Sequence, residues 1–331
     1  MCLLIALFQV VPSAPLIVAA NRDERYDRPA VAITTLREAQ PRVLGGRDEV
    51  AGGTWLAVNE SGLVAGLTNV PSPQGRDTTK RSRGELPVAL AAHQDAAAAV
   101  AWICATVDPA DYNSCWLLVG DRESLFYVGL TGGPRPAARR LPPGSYVLEN
   151  APLEPVSAKA IHVAGLLAAA GIGQEAAGRG GAAKVAGAAG VAGVGGAPGA
   201  AGAPGVDEIR EGLATVLRDH SPVSASTVSA STVSASTVSA STVSASTVSA
   251  STGPGSTGPG STVSASTGPG SAGPGSAGPA WLSAACVHGN GYGTRSAMIV
   301  TVGLTGRPEV LVADGPSCQA PLADVSALWE G

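Results

Sequence analysis

Two apolar runs open the chain, Leu3 to Val11 and Leu16 to Ala20, with Pro12 and Pro15 bracketing Ser13-Ala14 between them. Prolines and small residues between apolar runs mark a turn, so the pattern predicts two strands joined by a short connection. The uncharged stretch 2–20 ends in Val18-Ala19-Ala20, in the manner of a signal peptide. No Lys or Arg precedes it, however, and a spanning helix needs about 20 unbroken apolar residues. The expectation is a cytoplasmic protein without membrane insertion. Further short runs predict strands at Trp55–Asn59, Leu63–Thr68, Cys115–Gly120 and Leu125–Leu130, separated by Gly, Asn and Asp turns. Gly84 to Val107 carries apolar residues at helical spacing and predicts one helix, with Pro87 in its first turn and Ser82 as a cap.

From about Gly165 the pattern dissolves. Residues 171–206 are mostly Ala, Gly and Val and read as a linker after a first folded part at 1–170. Periodicity returns at Asp207–Asp219, where Ile209, Leu213, Val216 and Leu217 share one side of a predicted helix, placed at 207–220. Then Val-Ser-Ala-Ser-Thr repeats begin at Val223 and give way to Gly-Pro-Gly-Ser units. No charged residue falls between Val223 and Ala280. Such a segment cannot bury enough apolar area to offset its ordering entropy, so 221–280 is expected to be a disordered low-complexity insert. Folded sequence resumes at 281–331, with strands expected at Ala284–His288, Ala297–Val302 and Val310–Ala313. The two flanks are expected to complete one domain, because loop-closure entropy rises only slowly with length.

The chain of 331 residues carries a formal net charge of -4 and no cluster of Lys and Arg, which argues against a nucleic-acid partner. Five cysteines without a CxxC pair form neither a disulfide framework nor a zinc pattern, and four histidines without ligand spacing give no metal signal. No metal and no cofactor are expected.

Cys2 stands out. Methionine aminopeptidases remove Met1 before a small residue, leaving a thiol and an α-amine on one residue. That amine titrates near ~7.7–8.0 and can serve as a base, so an N-terminal cysteine is a self-contained activated nucleophile. A buried strand start would explain it equally. Asn21-Arg22-Asp23-Glu24 follows the second strand, and on extended chain Asn21 and Asp23 share one face while Arg22 and Glu24 share the other. A carboxylate there could orient a terminal amine. Asn69, after Leu67-Thr68, could offer an amide N–H to an oxyanion or simply close a strand.

Met1-Cys2, Asn21-Arg22-Asp23-Glu24 with Arg28-Pro29, Gly45-Gly46-Arg47-Asp48, Ala51-Gly52-Gly53-Thr54-Trp55-Leu56, Leu67-Thr68-Asn69, Ser82-Arg83-Gly84 and Tyr292-Gly293-Thr294-Arg295-Ser296 occur in one order. In that order they resemble the NRDE family, also called the transport and Golgi organisation protein 2 family. The resemblance covers about 1–162 and 281–314. It implies an α+β fold, a four-layer αββα sandwich of antiparallel sheets like that of the N-terminal-nucleophile hydrolases. More distantly the pattern is similar to penicillin V acylases and bile-salt hydrolases. That similarity implies Cys2 as nucleophile, Asp23 orienting the amine, Asn69 and Asn150 at the oxyanion, and Arg295 as a late arginine of the site. The acylases carry an arginine where this chain has Ala20, and Arg22 is expected to face away. Where the family tends to have Ser before the second Asn and then Trp-Pro-Lys, this chain has Glu149 and Val156-Ser157-Ala158-Lys159. The implied partner is a small-molecule acyl substrate, in a hydrolase or acyltransferase. Haem or an acyl lipid is implied if the scaffold is a non-catalytic carrier.

Overall fold

A computed structural model describes residues 2–172, 204–223 and 280–330. The expectations of an Ala/Gly linker and a disordered repeat fall almost wholly outside the described residues. The chain begins with β1 (Cys2–Val11), β2 (Ala14–Arg25), β3 (Ala30–Arg37), β4 (Val43–Asp48), β5 (Leu56–Asn59) and β6 (Val64–Asn69). Then come α1 (Glu85–Ala91), α2 (Ala96–Thr106), β7 (Cys115–Gly120), β8 (Leu125–Leu130), β9 (Ala137–Leu141), β10 (Gly144–Leu148), α3 (Ala158–Ala169) and α4 (Val206–Leu217). The closing strands are β11 (Tyr292–Val302), β12 (Glu309–Ala313) and β13 (Ala323–Asp324).

The strands form two antiparallel sheets, ordered β10-β1-β2-β11-β12-β13 and β3-β4-β5-β6-β7-β8-β9. β11 and β12, from beyond the repeats, complete the sheet that β1 and β2 begin. Along β1, Leu4, Ala6 and Phe8 pack between the sheets, against Leu56, Val64 and Trp116 of the second sheet's face. Leu3, Ile5 and Leu7 point the other way, onto Val163 and Leu167 of α3 and Leu213 and Leu217 of α4. Both faces of β1 are therefore buried, which is why it reads as an unbroken apolar run rather than an alternating one. Each fully buried Leu or Ile contributes about 1.5–3 kcal/mol. The second sheet's outer face packs Ala57, Ala65, Leu67 and Leu117 under Leu86 and Leu90 of α1 and Ala99 and Ile103 of α2. Helices, sheet, sheet and helices make the four-layer αββα sandwich.

Four expectations are corrected. The helix expected from Gly84 to Val107 is two helices. The Asn59 amide takes the Ala91 and His93 carbonyls, ending α1, and Asp95 then caps α2 by accepting from the Ala98 N–H. Gly84, not Ser82, occupies the N-cap of α1, without a side-chain cap. Ala284–His288 is no strand; its backbone is held by point contacts, including Cys286 N–H to the Asp219 carbonyl. α3, β3, β4, β9 and β10 carry too weak a pattern to be read ahead of the structure. β2 also runs on through Asn21-Arg22-Asp23-Glu24 rather than ending before it.

Candidate active site

Cys2 lies at the start of β1, directly opposite Arg22 of β2. Opposed residues of an antiparallel pair share a face, so Cys2 and Arg22 both look into the space between the sheets. A local irregularity decides this. Val11 pairs with Ala14, but Phe8 pairs with Leu16, and between them Gln9 takes a φ of 52°. Without that shift Asp23 would oppose Cys2; with it, Arg22 does. Arg22 thus faces away from Asp23, as expected, but toward the thiol. Its guanidinium sits 4.5 Å from the Trp55 ring centroid and 3.9 Å from Glu24. Burial depresses its pKa, while Glu24 and Cys2 raise it.

Trp55 holds that position through the glycine motifs. A Cβ on Gly46 would meet the Trp55 ring at 2.0 Å. Gly53, at φ +76°, passes so close to Gly84 that a Cβ would meet its carbonyl group at 2.3 Å, and Thr54 N–H donates to the Gly84 carbonyl at 2.8 Å. The Gly-Gly-Thr-Trp and Ser-Arg-Gly motifs are two halves of one backbone contact. Arg28 donates through Nε and Nη2 to Asp48 Oδ2 at 2.9 and 2.7 Å, joining the Arg-Pro and Gly-Gly-Arg-Asp motifs. Burial works against the Asp48 carboxylate, but hydrogen bonds from Arg28, Ala51 and Val50 hold its pKa below the usual range.

Burial pushes the Cys2 thiol above its ordinary value, and the carboxylate of Asp23 adds to that; the positive charge of the N-terminus, then that of Arg22 and a hydrogen bond from the Asp23 backbone N–H, act the other way. The Cys2 backbone N–H donates to Asn150 Oδ1 at 3.0 Å, and Asn150 Nδ2 donates to the Asn69 carbonyl at 2.5 Å. β1 pairs with β10 up to Leu148, which brings Asn150 alongside Cys2. Asn69, the exposed last residue of β6, belongs to the other sheet. Asn150 therefore ties the two sheets together at Cys2.

Asp23 lies on the helix-facing side of β2 and is buried. Its Oδ1 accepts from Thr294 Oγ1 at 2.6 Å, its carbonyl accepts from Tyr292 OH at 2.9 Å, and Lys159 Nζ stands 4.0 Å from Oδ2. Burial raises the Asp23 pKa against the opposing charge of Lys159. Arg295 is elsewhere. It is the bulged residue between Thr294 and Ser296, and its guanidinium donates to the Tyr26 carbonyl and lies over the Tyr26 ring. The structure thus brings Cys2, Asn150 and Asn69 together, sets Asp23 behind them, and places Arg295 on Tyr26.

Sequence reasoning passed over four residues. Lys159 is buried in the first turn of α3, and its only signal was the displaced Lys of the family motif. Thr294 links Asp23 to the Val287 N–H. Arg83, which donates to the Ser114 carbonyl, is near enough for the Cys2 charge to act on it. Thr68, opposite Trp116 on β7, is buried, and its Oγ1 has no hydrogen-bond partner among the described residues.

The family model of Transport and Golgi organisation 2 matches residues 1–175. The chain belongs to that family. The human Transport and Golgi organization protein 2 homolog is 34% identical over 167 residues, covering 46% of this chain and 58% of the human protein. The mouse relative is 32% identical over the same extent. The chain thus matches a little over half the length of these family members. Among solved structures, a Caenorhabditis elegans N-acylethanolamine-hydrolyzing acid amidase ortholog covers 51% of this chain and 79% of its own, at 12% identity and TM-score 0.39. The C2A mutant of conjugated bile acid hydrolase from Clostridium perfringens covers 51% and 57%, at 12% identity and TM-score 0.34. Among the described residues no helix is long and apolar enough to cross a membrane.

Proposed function

We propose that the chain, once Met1 is removed, is a cysteine N-terminal-nucleophile hydrolase or acyltransferase acting on a non-peptide amide or thioester. The observation that carries this reading is the contact of the Cys2 backbone nitrogen with Asn150, which itself rests on Asn69. After processing, that nitrogen is the α-amine, already oriented beside its own thiol. The amine takes the thiol proton, and the sulfur attacks the substrate carbonyl. The carbonyl oxygen becomes an oxyanion, for which the amides of Asn69 and Asn150 are the proposed donors. Collapse expels the amine or thiol leaving group, which takes the proton back from the ammonium. Water, or a second acceptor, then cleaves the thioester on Cys2 by the same route in reverse. Holding thiol and base on one residue removes their relative orientation entropy.

Asp23 is the proposed positioning group for the amine, with Thr294 and Lys159 fixing its carboxyl. Arg22 and Arg83 add positive charge around the sulfur, which favours thiolate over thiol. Arg295 is proposed as a residue of the site's margin rather than a contact of the sulfur. One feature favours the alternative of a non-catalytic carrier for haem or an acyl lipid: burial raises the pKa of the Cys2 thiol, against thiolate formation. A hydrolysis screen of acyl-amides and acyl-thioesters with the processed protein separates the two. Turnover that is lost in Cys2→Ala supports the enzyme; saturable haem binding by both forms without turnover supports the carrier.

A further inference from the structure

His220, Cys286, His288 and Cys318 come from three separate places in the chain, Cys286 and His288 from one short segment, and one ligand atom from each lies within 4.8 Å of the others. The His288 Nε2 is 3.2 Å from the Cys318 sulfur and 3.6 Å from the Cys286 sulfur. The rings of His220 and His288 are 4.9 Å apart between centroids. Zinc bonds to sulfur at ~2.3 Å and to nitrogen at ~2.0–2.1 Å, so a tetrahedral S2N2 site has edges of roughly 3.3–3.8 Å. The two sulfur–nitrogen distances already fall close to that range. We infer that these four side chains form a structural zinc site.

The donor chemistry selects the ion. Two thiolates and two imidazoles suit a borderline-soft cation with no geometric demand beyond a tetrahedron, and they do not suit calcium or magnesium. Four protein ligands fill the tetrahedron, which makes the site structural rather than catalytic. Binding converts two thiols to thiolates, so each zinc ion releases two protons and leaves a neutral centre. The surroundings are built for it. His220 Nδ1 lies 3.3 Å from the Cys286 carbonyl, and donating to that oxygen leaves Nε2 with its lone pair for metal.

The backbone around the four residues is pinned by contacts of its own. Asn21 Nδ2 donates to the Leu217 and Ala285 carbonyls at 2.8 Å each, Cys286 N–H donates to Asp219 O at 2.8 Å, and Ser317 Oγ donates to Leu217 O at 2.6 Å. These bonds hold the end of α4, the Ala284–His288 segment and the Cys318 loop in one place. The position is also informative. His220 is one of the last described residues before the repeats, while Cys286 and His288 are among the first after them. A metal here clips together the two chain ends from which the repeats depart, and a clip that closes a long loop gains the most. No regular spacing announces the site, because its ligands come from three segments that only the fold brings together.

The test uses the full chain, stripped with a chelator and titrated with zinc or cobalt. We expect one zinc ion per chain retained through gel filtration, and with cobalt a thiolate-to-metal charge-transfer band. Both are expected to be lost in Cys318→Ser and in His220→Ala and kept in Cys104→Ser. His220 is exposed, so His220→Ala is expected to melt with the chelated wild type, zinc raising only the wild-type melting temperature. No retained metal, retention unchanged in a His220→Ala/Cys318→Ser double variant, or a freshly purified chain lighter by two hydrogens with Cys286 bonded to Cys318 would each overturn the assignment.

Discussion

Cys2 and Arg22 oppose each other across the β1–β2 ladder, and the same Arg22 is held 4.5 Å over the Trp55 ring. The thiol is thereby presented with a cation that rests on the Trp55 ring. Arg22→Met is expected to raise the Cys2 thiol pKa further. Alkylation of Cys2 by iodoacetamide near neutral pH should then slow by about threefold to tenfold, a shift of up to ~1 pKa unit. The midpoint of its pH profile should move upward. An unchanged midpoint would remove Arg22 from the thiol's electrostatics.

Gly52 and Gly53 separate two costs. Both have positive φ, but only Gly53 has backbone against it. Gly52→Ala should cost about 1–2 kcal/mol, the left-handed penalty alone. Gly53→Ala should cost clearly more, since the Gly84 backbone must shift. It should also slow Cys2 alkylation, because Trp55 and Arg22 follow. Chemical denaturation of the two variants, read beside the alkylation rates, checks the ranking.

Asp23 and Lys159 are both buried, so removing one charge costs more than removing both. Lys159→Met is expected to destabilise by up to about 3–5 kcal/mol, and adding Asp23→Asn should recover most of the loss. A double variant no more stable than Lys159→Met would show that the two charges do not depend on each other.

The Asp23 carboxyl also sets a pH dependence. Its pKa is raised in the folded chain, so between the ordinary carboxylate value and the raised one the folded state binds more protons than the unfolded state. Its contribution is therefore full at low pH and is lost as pH rises through the folded value. The stability of wild type relative to Asp23→Asn should fall as pH rises from acid to neutral. The opposite slope would mean that Lys159 and Thr294 outweigh burial.

Much of the fold was legible because buried strands announce themselves. β1, β5, β7 and β8 were readable as apolar runs between turn residues, and α4 by its one-sided periodicity. β9, with Arg139 and Arg140 exposed, and β4, with two glycines in six residues, carry no such pattern. In the site, Cys2 and Asp23 stood out by residue type and position. The facing of Arg22 did not, because a one-residue irregularity at Gln9 sets it and no residue type encodes that irregularity. Lys159 was hidden for another reason: a buried lysine in a helix looks like any surface lysine until its carboxylate partner is placed beside it.

The central claim is that Cys2, with its own α-amine, is the nucleophile. The most direct measurement is intact-mass spectrometry of the purified chain before and after exposure to an acyl-thioester probe. The account predicts loss of Met1, then a gain of one acyl group on Cys2 that is absent from Cys2→Ala. A retained Met1, or a processed chain whose Cys2 stays unlabelled, would contradict it.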